Sequence, residues 1–176
     1  MGRKTNSVVA TFVIILASAG PALAGPPWIS VEYPANPYDR AAPRDALLLV
    51  HTYHHARSMA FPLEAVAEGV VAGQHRSVTL TVRPTARPGV WAVSGALPSS
   101  GQWVVKATLR DTETNARATA LIGIAAGRLV AVSVPSRSQG GMVIPRPASR
   151  ADVDAVLSQA IAAAPAAAAA AQTSAR

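Results

Sequence analysis

From Trp28 to Val134, apolar and polar residues alternate in short runs, each closed by proline, glycine or a polar cluster. In residues 28–33, Ile29, Val31 and Tyr33 fall on one side and Trp28, Ser30 and Glu32 on the other. This predicts a strand with the first set inward, ended by Pro34. Ala46 to Val50 is a short, continuous apolar run, the pattern of a strand buried on both faces. Its continuation is polar and rich in imidazole: period-two geometry puts His51, Tyr53 and His55 on one face and Thr52 and His54 on the other. Residues 63–71 fit a helix by composition and a strand by alternation. The Gly73-Gln74 turn and the strict alternation of 77–82 favour a hairpin. Runs at 89–94, 101–109, 116–125 and 128–134, separated by Leu97-Pro98-Ser99-Ser100, by Asp111 to Asn115 and by Ala126-Gly127, bring the count to about eight. Short strands at this spacing with glycine and proline turns predict an all-β sandwich.

The pattern changes at both ends. Residues 135–150, rich in Ser, Gly, Pro and Arg, read as a flexible linker. In 151–176, Val153, Val156, Leu157 and Ile161 recur at helical spacing, with Ser149 or Asp152 available as a cap. The alanine tract that follows, broken by Pro165, reads as a short Ala-rich helix running into a disordered tail. At the N-terminus, Arg3 and Lys4 precede the apolar stretch Val8 to Ala19 and then Ala22-Leu23-Ala24. These are the parts of a signal peptide over residues 1–24, with cleavage before Gly25. The apolar stretch is shorter than the roughly 20 residues of a spanning helix, and no Cys follows it to carry a lipid. A membrane is therefore expected as a partner only if this segment is not cleaved.

Removing residues 1–24 from 176 leaves 152, enough for one domain, here 25–134, with a substantial core. The chain has no Cys, which excludes disulfides, thiol catalysis and thiolate metal sites, so stability must come from burial. The net charge of +7 falls to +5 without Arg3 and Lys4, and the arginines are scattered rather than striped among aromatics, so nucleic acid is not an expected partner. No Gly-x-Ser-x-Gly elbow is present, Glu64 and Glu68 read as a solvated face, and no enzyme is expected. Three of the four histidines, His51, His54 and His55, crowd one strand end. With His75 they are the candidate ligands for copper or zinc, since neutral imidazole suits both ions. On a straight strand, however, His51 and His55 lie about 13 Å apart, and His54 and His55 point oppositely. A turn near Tyr53 relaxes this. The other reading of the same strand end is a binding face carried by Tyr53, His54 and His55.

Arg87-Pro88-Gly89-Val90-Trp91-Ala92-Val93, read on through Ala96-Leu97-Pro98, and then Gly101-Gln102-Trp103-Val104-Val105, resemble the small exported domains of the YtkA-like and FixH-like families. The resemblance spans about residues 45 to 125. It implies an immunoglobulin-like sandwich in which these two strands form a hairpin within one sheet. FixH-like proteins keep a membrane helix and serve copper assembly of cytochrome oxidase, whereas this chain carries what reads as a cleavable signal. The sequence thus leads to an all-β, immunoglobulin-like sandwich of about seven to eight strands, followed by a linker and a short helix. The function expected is that of an exported, non-catalytic binding or accessory module of the periplasm or cell envelope, with an envelope protein as partner and metal handling as the alternative.

Overall fold

A computed structural model of the chain describes residues 25–36 and 38–174. The expected signal segment, residues 1–24, lies outside the described residues. The strands are β1 (Trp28–Glu32), β2 (Ala46–His54), β3 (Arg57–Ser58), β4 (Leu63–Val71), β5 (Gln74–Thr79) and β6 (Thr81–Pro84). They continue as β7 (Val90–Ser94), β8 (Gln102–Arg110), β9 (Arg117–Ala125), β10 (Arg128–Ser133), β11 (Ser136–Gln139) and β12 (Met142–Pro145), before the helix α1 (Arg150–Ser174). One sheet runs β1-β2-β7-β6, with β3 paired to the end of β2; the other runs β10-β9-β8-β4-β5. The order β1-β2-β7-β6 against β9-β8-β4 is that of strands A-B-E-D against G-F-C in an immunoglobulin sandwich.

Two expectations about the strands need correction. β7 and β8 do not form a hairpin: they lie in opposite sheets, joined by residues 95–101. Seven residues exceed the two to five of an ordinary hairpin loop, and here they carry the chain from one layer to the other. The run 77–82 is also not one strand. β5 and β6 belong to different sheets and part at Leu80, whose N–H is held by Ala65 O at 3.1 Å and whose buried side chain lies under Gly95. The Ala126-Gly127 turn falls where expected, whereas the turn expected at Gly73-Gln74 lies one residue earlier, because Gln74 already pairs with Val71. Ala72-Gly73 and Ala126-Gly127 have positive φ at both positions, the conformation that makes a tight hairpin match strand twist.

The core between the sheets is built from Ile29, Leu48, Val50 and Val93 on one side and Ala65, Ala67, Trp103, Val105, Ala107, Leu109, Ile122 and Ile124 on the other. Trp103 is its largest member, 1% exposed. It fits because the chain withholds side chains around it: a Cβ at Gly69 or Gly101 would run into the indole. Its Nε1 donates to Pro98 O at 3.0 Å, so the polar end is satisfied. Trp91, on the opposite sheet, is only half-buried and packs at the edge of the same core.

The C-terminal expectation is corrected as well. Residues 136–145 are a paired hairpin rather than a flexible linker, and the alanine tract continues α1 as far as Ser174 rather than fraying after the first turns. Val153, Val156 and Leu157 pack with Val104 and Leu121 on the outer face of the second sheet. The helix is long and apolar enough to cross a membrane by length and composition alone; Val153, Val156 and Leu157 of its stripe are buried on this sheet, while Ile161 is exposed. Its start is a capping box: Ser149 N–H and Oγ–H donate to Asp152 Oδ2 at 2.7 and 2.6 Å, and Asp152 N–H donates back to Ser149 Oγ at 3.3 Å. Arg146 forks onto both Asp152 oxygens at 2.6 and 2.9 Å, and with Ser149 holds this carboxyl well below the usual carboxylate range. Glu68 on β4 joins sheet to helix, reached by Lys106 at 3.4 Å and Arg150 at 2.9 Å.

From these burials, Trp103→Ala should destabilise by about 3 to 5 kcal/mol and Trp91→Ala by roughly half as much. Urea unfolding of the two variants measures this. Equal losses would mean that Gly69 and Gly101 do not define a special seat for Trp103.

Candidate functional site

β2 carries the sequence's candidate residues, and its two faces meet different surroundings. Leu48, Val50 and Thr52 face the core; the Thr52 hydroxyl is satisfied by Met59 O, so a buried polar group sits there without penalty. Leu49, His51 and Tyr53 face outward. The loop 34–45 covers Leu49, with Val90 and Ala92, by laying Ala35 and Ala42 on them. The cover ends before His51. There the His51 and Tyr53 rings stack at 6.3 Å, and Trp28, cross-strand partner of Tyr53, is 43% exposed.

A polar group borders this open patch. His51 Nε2 lies 3.3 Å from Glu32 Oε2, and the other Glu32 oxygen accepts Asn36 N–H at 3.3 Å. Arg87 Nη2 sits 3.9 Å from the same Glu32 oxygen and 2.7 Å from Asp39 Oδ2, a charge pair without the angle of a hydrogen bond. The result is a fixed row of alternating charge beside aromatic surface. It can bind a polar partner, but it offers no nucleophile activated by a base.

The expected facing of His55 is corrected. β2 ends at His54, and His55 and Ala56 both adopt left-handed φ, 49° and 59°, to form a tight turn into β3. Two consecutive non-glycine residues there are uncommon, and Ala56 has no side-chain hydrogen bond to offset the cost. The turn brings the His54 and His55 rings side by side, with centroids 4.5 Å apart, instead of on opposite faces. His54 also meets Phe61 edge-on at 6.2 Å, and its Nε2 lies 2.7 Å from Gly25 O. A carbonyl can only accept, so this nitrogen carries the proton.

Below His54 lies a cleft of about 170 Å³ lined by Met59, Phe61, Pro62, Asp111, Thr112 and Glu113. Asp111 is 4% exposed at the start of the β8–β9 turn. It accepts the Thr114 hydroxyl at 2.6 Å and the N–H groups of Glu113 and Thr114 at 2.9 and 3.4 Å. The Thr114 hydroxyl, then the two backbone donors, lower its pKa against the opposing effect of burial; His54 adds a smaller electrostatic push in the same direction.

The four histidines do not converge. His51 is on the outer face of the first sheet, His54 and His55 are at its end, and His75 is on β5, the edge of the second sheet. Among the described residues no three of His, Cys, Asp and Glu gather as a metal-holding group. Sequence reasoning missed Arg87, Asp39, Asp111 and Gly25. The first three come to the site through loops, where periodicity is silent; Gly25 enters through its backbone, which no side-chain motif records. No family model, curated protein or solved structure matches the chain.

Asp111 should leave a mark on acid stability. Its folded pKa is depressed, so its contribution is complete above the ordinary carboxylate value of about 3.9 and is lost as pH falls through the lower folded value. Asp111→Asn should thus be less stable than the parent at neutral pH, with the gap closing as pH falls below about 4. Urea unfolding across that range measures it; a gap that does not vary with pH contradicts the assignment.

Proposed function

We propose that the protein is an exported, non-catalytic binding or accessory module of the periplasm or cell envelope. It engages another envelope protein through the outward face and end of β2. The observation that carries this reading is the unequal treatment of the two sheets. α1 covers the outer face of the second, whereas the cover on the first stops short of Trp28, His51 and Tyr53. An aromatic patch with a rim of fixed charges has the make-up of a protein-binding surface: rings supply contact area at low entropic cost, and the rim sets orientation. Export rests on the Arg3-Lys4, Val8–Ala19 and Ala22-Leu23-Ala24 pattern. The alternative, copper or zinc handling by all four imidazoles, is the weaker reading, because His51 and His75 stand apart from His54 and His55.

The test is site-specific photo-crosslinking in intact cells. A photoreactive residue at Tyr53 should give a discrete protein adduct, one at the exposed Ala155 on α1 should not, and Trp28→Ala should weaken the Tyr53 adduct without altering thermal stability. Equal labelling from both positions, or none from Tyr53, would sink the proposal.

A further inference from the structure

The residue that follows the expected cleavage point packs against two histidines. Gly25 O lies 2.7 Å from His54 Nε2, the His55 imidazole passes within 4 Å of the Gly25 Cβ position, and the two rings are 4.5 Å apart. Hydrolysis of the Ala24–Gly25 peptide bond by a signal peptidase consumes one water and leaves a carboxylate on Ala24 and an amine on Gly25. That amine then sits on the same residue whose carbonyl already touches His54. We propose that processing at Gly25 completes a cupric-ion site made of the Gly25 α-amine and carbonyl oxygen with the imidazoles of His54 and His55.

Three points of chemistry support it. An α-amine and the carbonyl of the same residue close a five-membered chelate ring. Pro26 has no amide N–H to lose, so the oxygen rather than the following nitrogen must be the second donor. Three nitrogens and one oxygen favour Cu(II) over Zn(II) in the usual order of affinities. Binding releases one proton from the Gly25 ammonium, and His54 moves its remaining proton to Nδ1, freeing Nε2. The pair His54-His55 is shared with the proposed binding end of β2, so the inference rests on that reading for export but not for the protein partner.

The experiment begins with the intact mass of the exported protein. A start at Gly25 is expected; a start at any other residue overturns the site, while leaving the crosslinking result to decide the binding-module reading separately. The chain beginning at Gly25 is then titrated with Cu(II) and followed by electron paramagnetic resonance and by competition with a chelator of known affinity. One equivalent should bind with a spectrum showing three nitrogen ligands. Acetylation of the α-amine, His54→Ala and His55→Ala should each raise Kd by about tenfold or more, and His75→Ala should leave it unchanged. Zn(II) should bind more weakly than Cu(II). Cu(II) affinity that is insensitive to acetylation, or that falls as much in His75→Ala as in His54→Ala, overturns the proposal.

Discussion

The centre of the second sheet, along β9 and the adjoining part of β8, is buried on both faces, and the rest of the architecture follows from that constraint. Along β9 every residue from Ala118 to Ala125 is buried, although alternate side chains point to opposite sides. One set, with Ala120, Ile122 and Ile124, meets the first sheet; Leu121 on the other side meets Val153, Val156 and Leu157 of α1. Strands with two apolar faces need a layer packed on each side, and α1 returns across the sheet to supply the second one. This makes the hairpin of 136–145 and the capping box at Ser149–Asp152 parts of the fold rather than an appendage. They bring the helix back over β8, β9 and β10 and set its start, which the bridge from Arg150 to Glu68 ties to β4.

Without disulfides, the sandwich depends on the fit of Trp103 between two glycines, and on a core otherwise made mostly of small and branched side chains. The consequence for function is asymmetry. Among the described residues the first sheet has no helix over it, only a loop whose alanines reach as far as Leu49, and beyond that Trp28 is exposed and His51 and Tyr53 are partly so. Where β2 runs out, the tight turn at His55-Ala56 gathers two imidazoles against Gly25. Open face and histidine end are therefore products of one strand, the first exposed by what the loop fails to cover and the second by how the strand terminates.

Most of this fold was legible because strands of one period and turns rich in glycine and proline leave a strong local record. Ile29 inward and Trp28 outward, the buried run Ala46–Val50 and the existence of the β4–β5 hairpin, though with its turn one residue earlier than Gly73-Gln74, all follow from alternation and turn chemistry. What escaped were features set by distance along the chain. Nothing local says that Leu80 ends one sheet's strand and starts the other's, or that β7 and β8 face each other across the core. The polar composition of 136–145 hides a ladder whose strands are mostly exposed. At the site, period two placed His51 and Tyr53 together correctly, but it failed at His55, because two left-handed residues end the period there. The contacts of Gly25, Arg87 and Asp39 are tertiary and leave no trace in spacing.

The central claim, that α1 is the outer cover of the second sheet and leaves the first as the free face, is tested most directly by removing the helix. Deleting residues 147–176 strips three buried apolar side chains from Val104 and Leu121, each worth about 1.5 to 3 kcal/mol. The account predicts a thermal midpoint lower by roughly 10 °C or more, together with new binding of an apolar dye. An unchanged midpoint with no dye binding would contradict it, and would show that the second sheet does not need its helix.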